Sequence, residues 1–246
     1  MNVFTKTFFF LAIFTLSFMT WAAEKEYSSA QFLEVVRHPP GRESWAAMNG
    51  TAFHLRRDKD VVEAPLYLGI RFTSERTMAQ VVINGNEAYF VGQAYNASKE
   101  SASVIPANKI GYPKSMLADF GLRPQDLTMT FLFWDFVREL PRMGVKGREC
   151  RVFLLESQDK KELAKVYISA EYFFPLKVEW FALDDKELKK PYRTLEISSF
   201  KKENDFWIVS SLILYGPGWQ TKIEFSQTAA GFKSENMPKD LFKDIK

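Results

Sequence analysis

The sequence predicts a mainly β chain of the α+β class: a bent antiparallel sheet of many strands, plugged or capped by a few short helices. Three observations carry this. Apolar residues alternate with polar ones at period two through most of the chain. The connections between these runs are short and rich in turn chemistry, which joins strands as an antiparallel meander rather than through crossover helices. A single aromatic, helix-like segment separates an early block of strands from a later one.

The first strand block opens after a short helix. Ser28-Ser-Ala-Gln31 is a capping-box pattern that starts a helix with Phe32, Val35 and Val36 on one face, and Pro39-Pro40 ends it. Leu66, Leu68, Ile70 and Phe72 then share one face of a strand, with Arg71 and Thr73 on the other. Val81 and Ile83 continue the pattern, Asn84-Gly85 is a strong two-residue hairpin signal, and Tyr89 and Val91 lie on the returning strand.

In the second block Cys150, Val152 and Leu154 alternate with Arg151, Phe153 and Leu155. Leu176, Val178 and Trp180 alternate with Lys177 and Glu179, and Leu195 and Ile197 with Thr194, Glu196 and Ser198. Residues 206–215 are apolar on both faces apart from two serines. Trp219, Thr221, Ile223 and Phe225 alternate with Gln220, Lys222, Glu224 and Ser226. Asp184-Asp185, Glu203-Asn204-Asp205 and Gly216-Pro217-Gly218 supply the turns. Between the blocks, Pro113 to Phe120 and Asp126 to about Val137 read as helices. The second carries Leu127, Phe131, Phe133, Trp134 and Val137, so it must be covered, most simply by the concave face of the sheet.

Length and composition bound the function. The chain has 246 residues, 46% of them hydrophobic and 15% aromatic, enough for a large core. Lys+Arg 33 against Asp+Glu 30 is close to balance, which argues against a dedicated nucleic-acid binder. One cysteine and two histidines leave little for a disulfide scaffold, a metal site or His-based catalysis. Residues 1–22 read as a cleaved signal peptide: Lys6, an apolar run from Phe8 to Met19, then Thr20-Trp21-Ala22 before Glu24-Lys25-Glu26. The run is shorter than the roughly 20 apolar residues a span requires. The remainder, 23–246, reads as one exported domain. Export without disulfides fits a periplasm. Asn49-Gly-Thr51 and Asn96-Ala-Ser98 match the glycosylation sequon, a triplet that also arises by chance.

The search for chemistry is thin. His38 suits a helix end and His54 sits in a strand, neither with metal-ligand spacing. Cys150 reads as a small buried apolar residue, although Arg148 and Arg151 flank it. Asp58, Asp60 and Asp184-Asp185 read as turns. Gly69 and Gly92 mark bends, and Lys189-Lys190 and Lys201-Lys202 solvated turns, with anionic lipid contact the minority reading. No Walker loop, dinucleotide fingerprint or G-x-S-x-G elbow occurs. No catalytic residue, metal or cofactor is expected. Surplus apolar surface remains, which is either packed core or the lining of an apolar cavity.

Several stretches carry a resemblance. They are Gln125-Asp-Leu-Thr-Met-Thr-Phe-Leu-Phe-Trp134, Val145-Lys-Gly-Arg-Glu-Cys-Arg-Val152, Val166-Tyr-Ile-Ser-Ala170 with Phe174-Pro-Leu-Lys-Val-Glu-Trp180, and Leu195-Glu-Ile-Ser-Ser199 with Trp207-Ile-Val209 and Thr221-Lys-Ile-Glu-Phe225. With the order signal, helix, strands, aromatic insert, strands, the chain resembles the LolA-like outer-membrane lipoprotein-sorting family. The resemblance implies an unclosed β-barrel, or half-barrel, with helices as a lid over a hydrophobic cavity. It also implies a non-enzymatic, periplasmic carrier of lipid or lipoprotein acyl chains, monomeric, with inner- or outer-membrane envelope proteins as further partners. No ligand motif of the family maps letter by letter. The residues expected to line the cavity are Leu68, Ile70, Phe72, Val81, Phe131, Trp134, Val152, Val178, Trp180 and Ile223. Alternation does not say which face points inward. Two rivals stand beside this reading: an envelope interaction or scaffold protein with a fully packed sheet, and a hydrolase built on scattered carboxylates.

Overall fold

A computed structural model describes residues 27–38, 43–95, 102–107, 115–185, 187–203, 206–233 and 237–245. The expected signal peptide, Pro39-Pro40, Pro113, the Asn96 sequon and the Asn204-Asp205 turn lie outside these. The first element, α1 (Ser29–Arg37), begins as the capping box requires. The Ser28 hydroxyl accepts from the Gln31 amide, and the Gln31 side chain accepts from the Ser28 amide. Its buried face is Phe32 and Leu33; Val35 faces solvent.

Five strands follow: β1 (Ser44–Arg56), β2 (Val62–Phe72), β3 (Arg76–Ile83), β4 (Glu87–Ala94) and β5 (Ala102–Pro106). A helical insert comes next: α2 (Met116–Asp119), α3 (Pro124–Thr128) and a tight three-residue-per-turn segment, Thr130–Phe133. Seven strands complete the chain: β6 (Asp135–Val145), β7 (Arg148–Glu156), β8 (Glu162–Ser169), β9 (Pro175–Ala182), β10 (Arg193–Glu203), β11 (Phe206–Gly216) and β12 (Trp219–Phe232).

The two strand blocks form one twelve-stranded antiparallel sheet, ordered β5-β4-β3-β2-β1-β12-β11-β10-β9-β8-β7-β6. Each block is a meander. They meet where the first strand pairs with the last, Ser44 opposite Phe232 through Arg56 opposite Trp219, with one bulge at Asn49/Gly50. The outer strands β5 and β6 do not pair with each other, so the sheet curls into an unclosed half-barrel. The hairpin expected at Asn84-Gly85 forms, with three residues, Asn84 to Asn86, between paired Ile83 and Glu87; Asn84 and Gly85 both have positive φ, 54° and 71°.

The insert departs from the sequence expectation. The helix expected over Asp126–Val137 stops at Thr128, because Met129 adopts a left-handed conformation with φ 56°. The chain tightens through Thr130–Phe133, and Asp135 onward becomes an edge strand, Phe136 pairing with Leu155. The apolar run Phe131–Val137 fits a buried helix or a strand equally well by periodicity. Likewise the expected helix ending at Phe120 forms one described turn, capped by Ser115.

The principal core lies on the concave side. The inward residues of the sheet are packed by α1 and by Leu117, Phe120, Leu122, Leu127, Phe131 and Leu132 of the insert. The ring of Phe32 stacks on Phe153 at 5.6 Å, and Phe131 meets Trp180 edge-on at 5.6 Å. On the convex side the C-terminal segment 237–245 crosses β2 and β3. The Tyr67 hydroxyl donates to the Leu241 carbonyl at 2.6 Å, and Gln80, fully buried, pairs both ends of its amide with the Lys243 backbone. Gly69 lets this backbone approach, since a Cβ there would stand 2.2 Å from the Leu241 oxygen.

Candidate ligand-binding site

Nine of the ten residues expected to line a cavity gather on the concave face and on the helical plug upon it. Leu68 and Ile70 of β2, Val81 of β3, Val178 and Trp180 of β9 and Ile223 of β12 are all buried in the principal core, together with Phe131 of the insert. Phe72 and Trp134 pack against that core while partly exposed. Val152 does not join them. It lies in a separate cluster with Cys150, Tyr167 and Leu176 on the other face of the sheet. Strand β7 is buried on both sides, so its alternation carried no sign: Phe153 and Leu155, not Val152, point into the concave core.

Apolar burial seats the plug, and polar contacts at its margins fasten it. The Arg37 guanidinium, at the end of α1, donates to the Leu132 carbonyl at 2.7 Å and the Trp134 carbonyl at 2.9 Å. These are the carbonyls where the insert gives way to β6. At the other end of α1, buried Arg151 of β7 makes a bidentate pair with Glu139 of β6 at 2.7 and 2.6 Å. The same Arg151 donates to the Tyr27 carbonyl at 2.7 Å and lies over the Phe32 ring, 4.6 Å from its centre. Glu139 also accepts from the Ser29 hydroxyl at 2.5 Å. The Arg151 hydrogen bonds hold the Glu139 carboxyl below the usual glutamate range.

The insert is fastened in the same manner. Buried Glu87 of β4 accepts from the Ser115 hydroxyl and from the amides of Met116 and Leu117, which caps α2. Asp126 of α3 accepts from Arg193 of β10 and from the Arg123 amide. Full burial raises the Asp126 carboxyl above its ordinary value, against the pull of Arg193. Arg193 lies over Trp180 at 4.8 Å, and its Nε and Nη1 find no protein partner. Arg123 reaches Glu162 of β8 at 2.8 Å. The two buried carboxylates among the described residues, Glu87 and Asp126, are therefore each committed to structural partners.

The same end of the sheet, at the β1–β2 and β11–β12 turns, carries two clefts. One of about 1020 Å³ is open and lined by charged residues including Arg56, Arg57, Asp58 and Lys59, with Trp219. A second of about 340 Å³ reaches His54, Met116, Asp119 and Phe120. None of the ten expected lining residues borders either cleft. His54 is buried between Phe120 and Trp219. Its Nε2 lies 3.0 Å from Arg56 Nε, which can only donate, so that nitrogen accepts and Nδ1 donates to Thr221 Oγ1 at 2.7 Å. Burial and Arg56 push its pKa down, consistent with a neutral ring. Gly121, at φ +70°, passes directly over the Trp219 ring.

Cys150 and His38 have structural surroundings, whereas Asp58 and Asp60 border the clefts. Cys150 is fully buried, and burial raises its thiol pKa. His38 caps α1, its ring 3.0 Å from the Glu34 carbonyl. The latch residues Arg37, Glu139, Arg151 and Arg193 carried no local signal, because their partners are distant: Arg37 and Leu132 stand 95 residues apart.

Among the described residues no helix is long and apolar enough to cross a membrane. No protein-family model matches the chain, and no curated protein matches it. Solved structures do. A DUF1329 family protein from Desulfovibrio piger is similar at TM-score 0.58 and 14% identity, over 86% of this chain and 92% of that one. A domain assigned to outer membrane lipoprotein sorting, from Vibrio parahaemolyticus, is similar at TM-score 0.57 and 12% identity, over 85% and 93%. A LolA superfamily protein from Nitrosomonas europaea is similar at TM-score 0.54 and 11% identity, over 89% and 99%. At these identities the likeness concerns the fold: a half-barrel whose concave face is closed by helices, which in this chain is a LolA-like fold.

Proposed function

We propose that the mature chain is a non-enzymatic periplasmic carrier that takes the acyl chains of lipids or lipoproteins onto its concave face, for delivery toward the outer membrane. The observation that supports this reading is the construction of the core. The apolar concave face is covered by separate short helices, fastened at their margins by a few polar contacts, rather than by a second sheet. Such a cover can move without breaking the sheet. In the closed form Phe32, Leu33, Leu127, Phe131 and Leu132 occupy the place an acyl chain would take. Loading exchanges their burial for that of the chain, at about 0.8 kcal/mol per buried methylene. The similarity to a domain assigned to lipoprotein sorting agrees with this. The exported location rests on the apolar leader at residues 1–22.

The test is titration of detergent-washed protein with a fluorescent long-chain fatty acid. Saturable binding near one per chain is expected, with faster loading in Arg37→Ala, which releases the end of α1. Binding no greater than to a lysozyme control would overturn the proposal. One observation favours a second reading, an envelope interaction protein: the concave face is already filled by the protein's own side chains. That reading expects no probe binding by either protein.

A further inference from the structure

The β6–β7, β8–β9 and β10–β11 turns lie at one end of the sheet, opposite the clefts. Contacts tie the three together. Lys146 of the first turn donates to the Ile197 carbonyl of β10 at 2.6 Å. Arg148 lies over the Tyr172 ring at 5.0 Å, and Phe174 meets Phe200 edge-on at 5.4 Å.

This end is unusual in what it exposes. Trp207 is 70% exposed, the most exposed large hydrophobic residue among those described, with Tyr172 at 52% and Phe200 at 37% nearby. Lys202 and Trp207 are register partners near the end of the β10–β11 hairpin, so their side chains share a face. Lys201 precedes them. Among the described residues of this rim, Arg142, Lys146, Arg148, Lys201 and Lys202 stand against Glu149, Glu171 and Glu203, each acid bridged to one of the cations. The balance is a surplus of positive charge. An indole and a phenol in water are disfavoured, whereas the zone between lipid headgroups and acyl chains suits an amphipathic ring flanked by lysines.

We propose that this rim is a docking surface for an anionic lipid bilayer. Trp207, Tyr172 and Phe200 enter the headgroup zone with Lys202, which shares the Trp207 face, while Lys201 on the opposite strand face, bridged to Glu203, adds to the charge of the rim. The contact is reversible, since three rings and two lysines fall well short of a spanning segment. It is independent of whether the concave face carries a ligand. The rim also sets an orientation, because the sheet end that bears the charged clefts is held away from the membrane.

The test is flotation of the protein with vesicles of phosphatidylcholine alone and of phosphatidylcholine with phosphatidylglycerol, for the unaltered chain, Trp207→Ser and Lys201→Gln/Lys202→Gln. The proposal expects partition onto the anionic vesicles that weakens with salt. It expects roughly tenfold or greater loss in Trp207→Ser and roughly fivefold loss per lysine removed. Unchanged circular dichroism and melting of the variants would confirm that the fold is intact, as the exposure of these positions predicts. Equal partition onto neutral and anionic vesicles, no partition onto either, or an unaltered partition in Trp207→Ser would each overturn it. In that case an aromatic contact with a protein partner becomes the account of the exposed rings.

Discussion

At the scale of single residues, His54, Glu139 and Asp126 respond to acid in different ways. His54 is built into the fold as a neutral ring, accepting from Arg56 and donating to Thr221. Its folded pKa is depressed below the usual 6.5, so the stability it contributes is present above that value and is lost as the pH falls through the lower folded pKa. Glu139 is also depressed, from its usual 4.5, so the latch it forms with Arg151 weakens at lower pH still. Urea denaturation as a function of pH is therefore expected to show two successive losses, the first reduced in His54→Asn and the second reduced, though not abolished, in Glu139→Gln, because other carboxylates such as Glu179 are depressed as well. The Asp126–Arg193 contact behaves in the opposite sense. Arg193→Gln strands a buried carboxylate and is expected to lower stability by about 3–5 kcal/mol at neutral pH. The loss is expected to shrink in acid, where Asp126, already raised by burial, takes up a proton. An Arg193→Gln penalty that is small or independent of pH would show that this pair does not fasten the insert.

At the scale of elements, the helical plug is the part whose stability differs from the rest. Helix α1 is anchored by Phe32 and Leu33 and by the contacts of Arg37 and Arg151 at its two ends. Phe32→Ala removes a ring stacked on Phe153 and is expected to cost about 3–5 kcal/mol in equilibrium unfolding. Arg37→Ala is expected to do something different: faster amide exchange in α1, with the protection of β1 and β12 unchanged. Uniform loss of protection across the sheet would mean that α1 is part of a single cooperative core.

This contrast also shows what was legible in the chain. The start of α1 was readable from Ser28 and Gln31, whose bonds are local. That Leu68 and Ile70, Val178 and Trp180 share a face was readable from alternation; that this face is the concave one was not, because alternation carries no sign and β2 and β3 are buried on both sides. Nor was the placing of Val152 on the other face, since β7 is apolar on both sides. Strand β6 was hidden because Phe131–Val137 suits either period, and the deciding feature, the left-handed Met129, belongs to no turn motif. The His54–Thr221 contact and the convex clasp of Leu241 and Lys243 on Tyr67 and Gln80 were invisible, because they join residues more than one hundred and fifty positions apart.

At the scale of the whole molecule, one sheet performs two separable tasks. Its backbone pairing is continuous from β5 to β6 and passes through no helix. Among the described residues the helices are what covers an apolar face that would otherwise be exposed to water. On this view loading is a change in the plug alone. Hydrogen exchange of the protein with and without a saturating long-chain fatty acid tests this most directly. The account predicts one bound chain per molecule, loss of protection in α1 and in residues 116–133, and an unchanged sheet. Binding that leaves α1 and the insert as protected as before, or no binding at all, would contradict it.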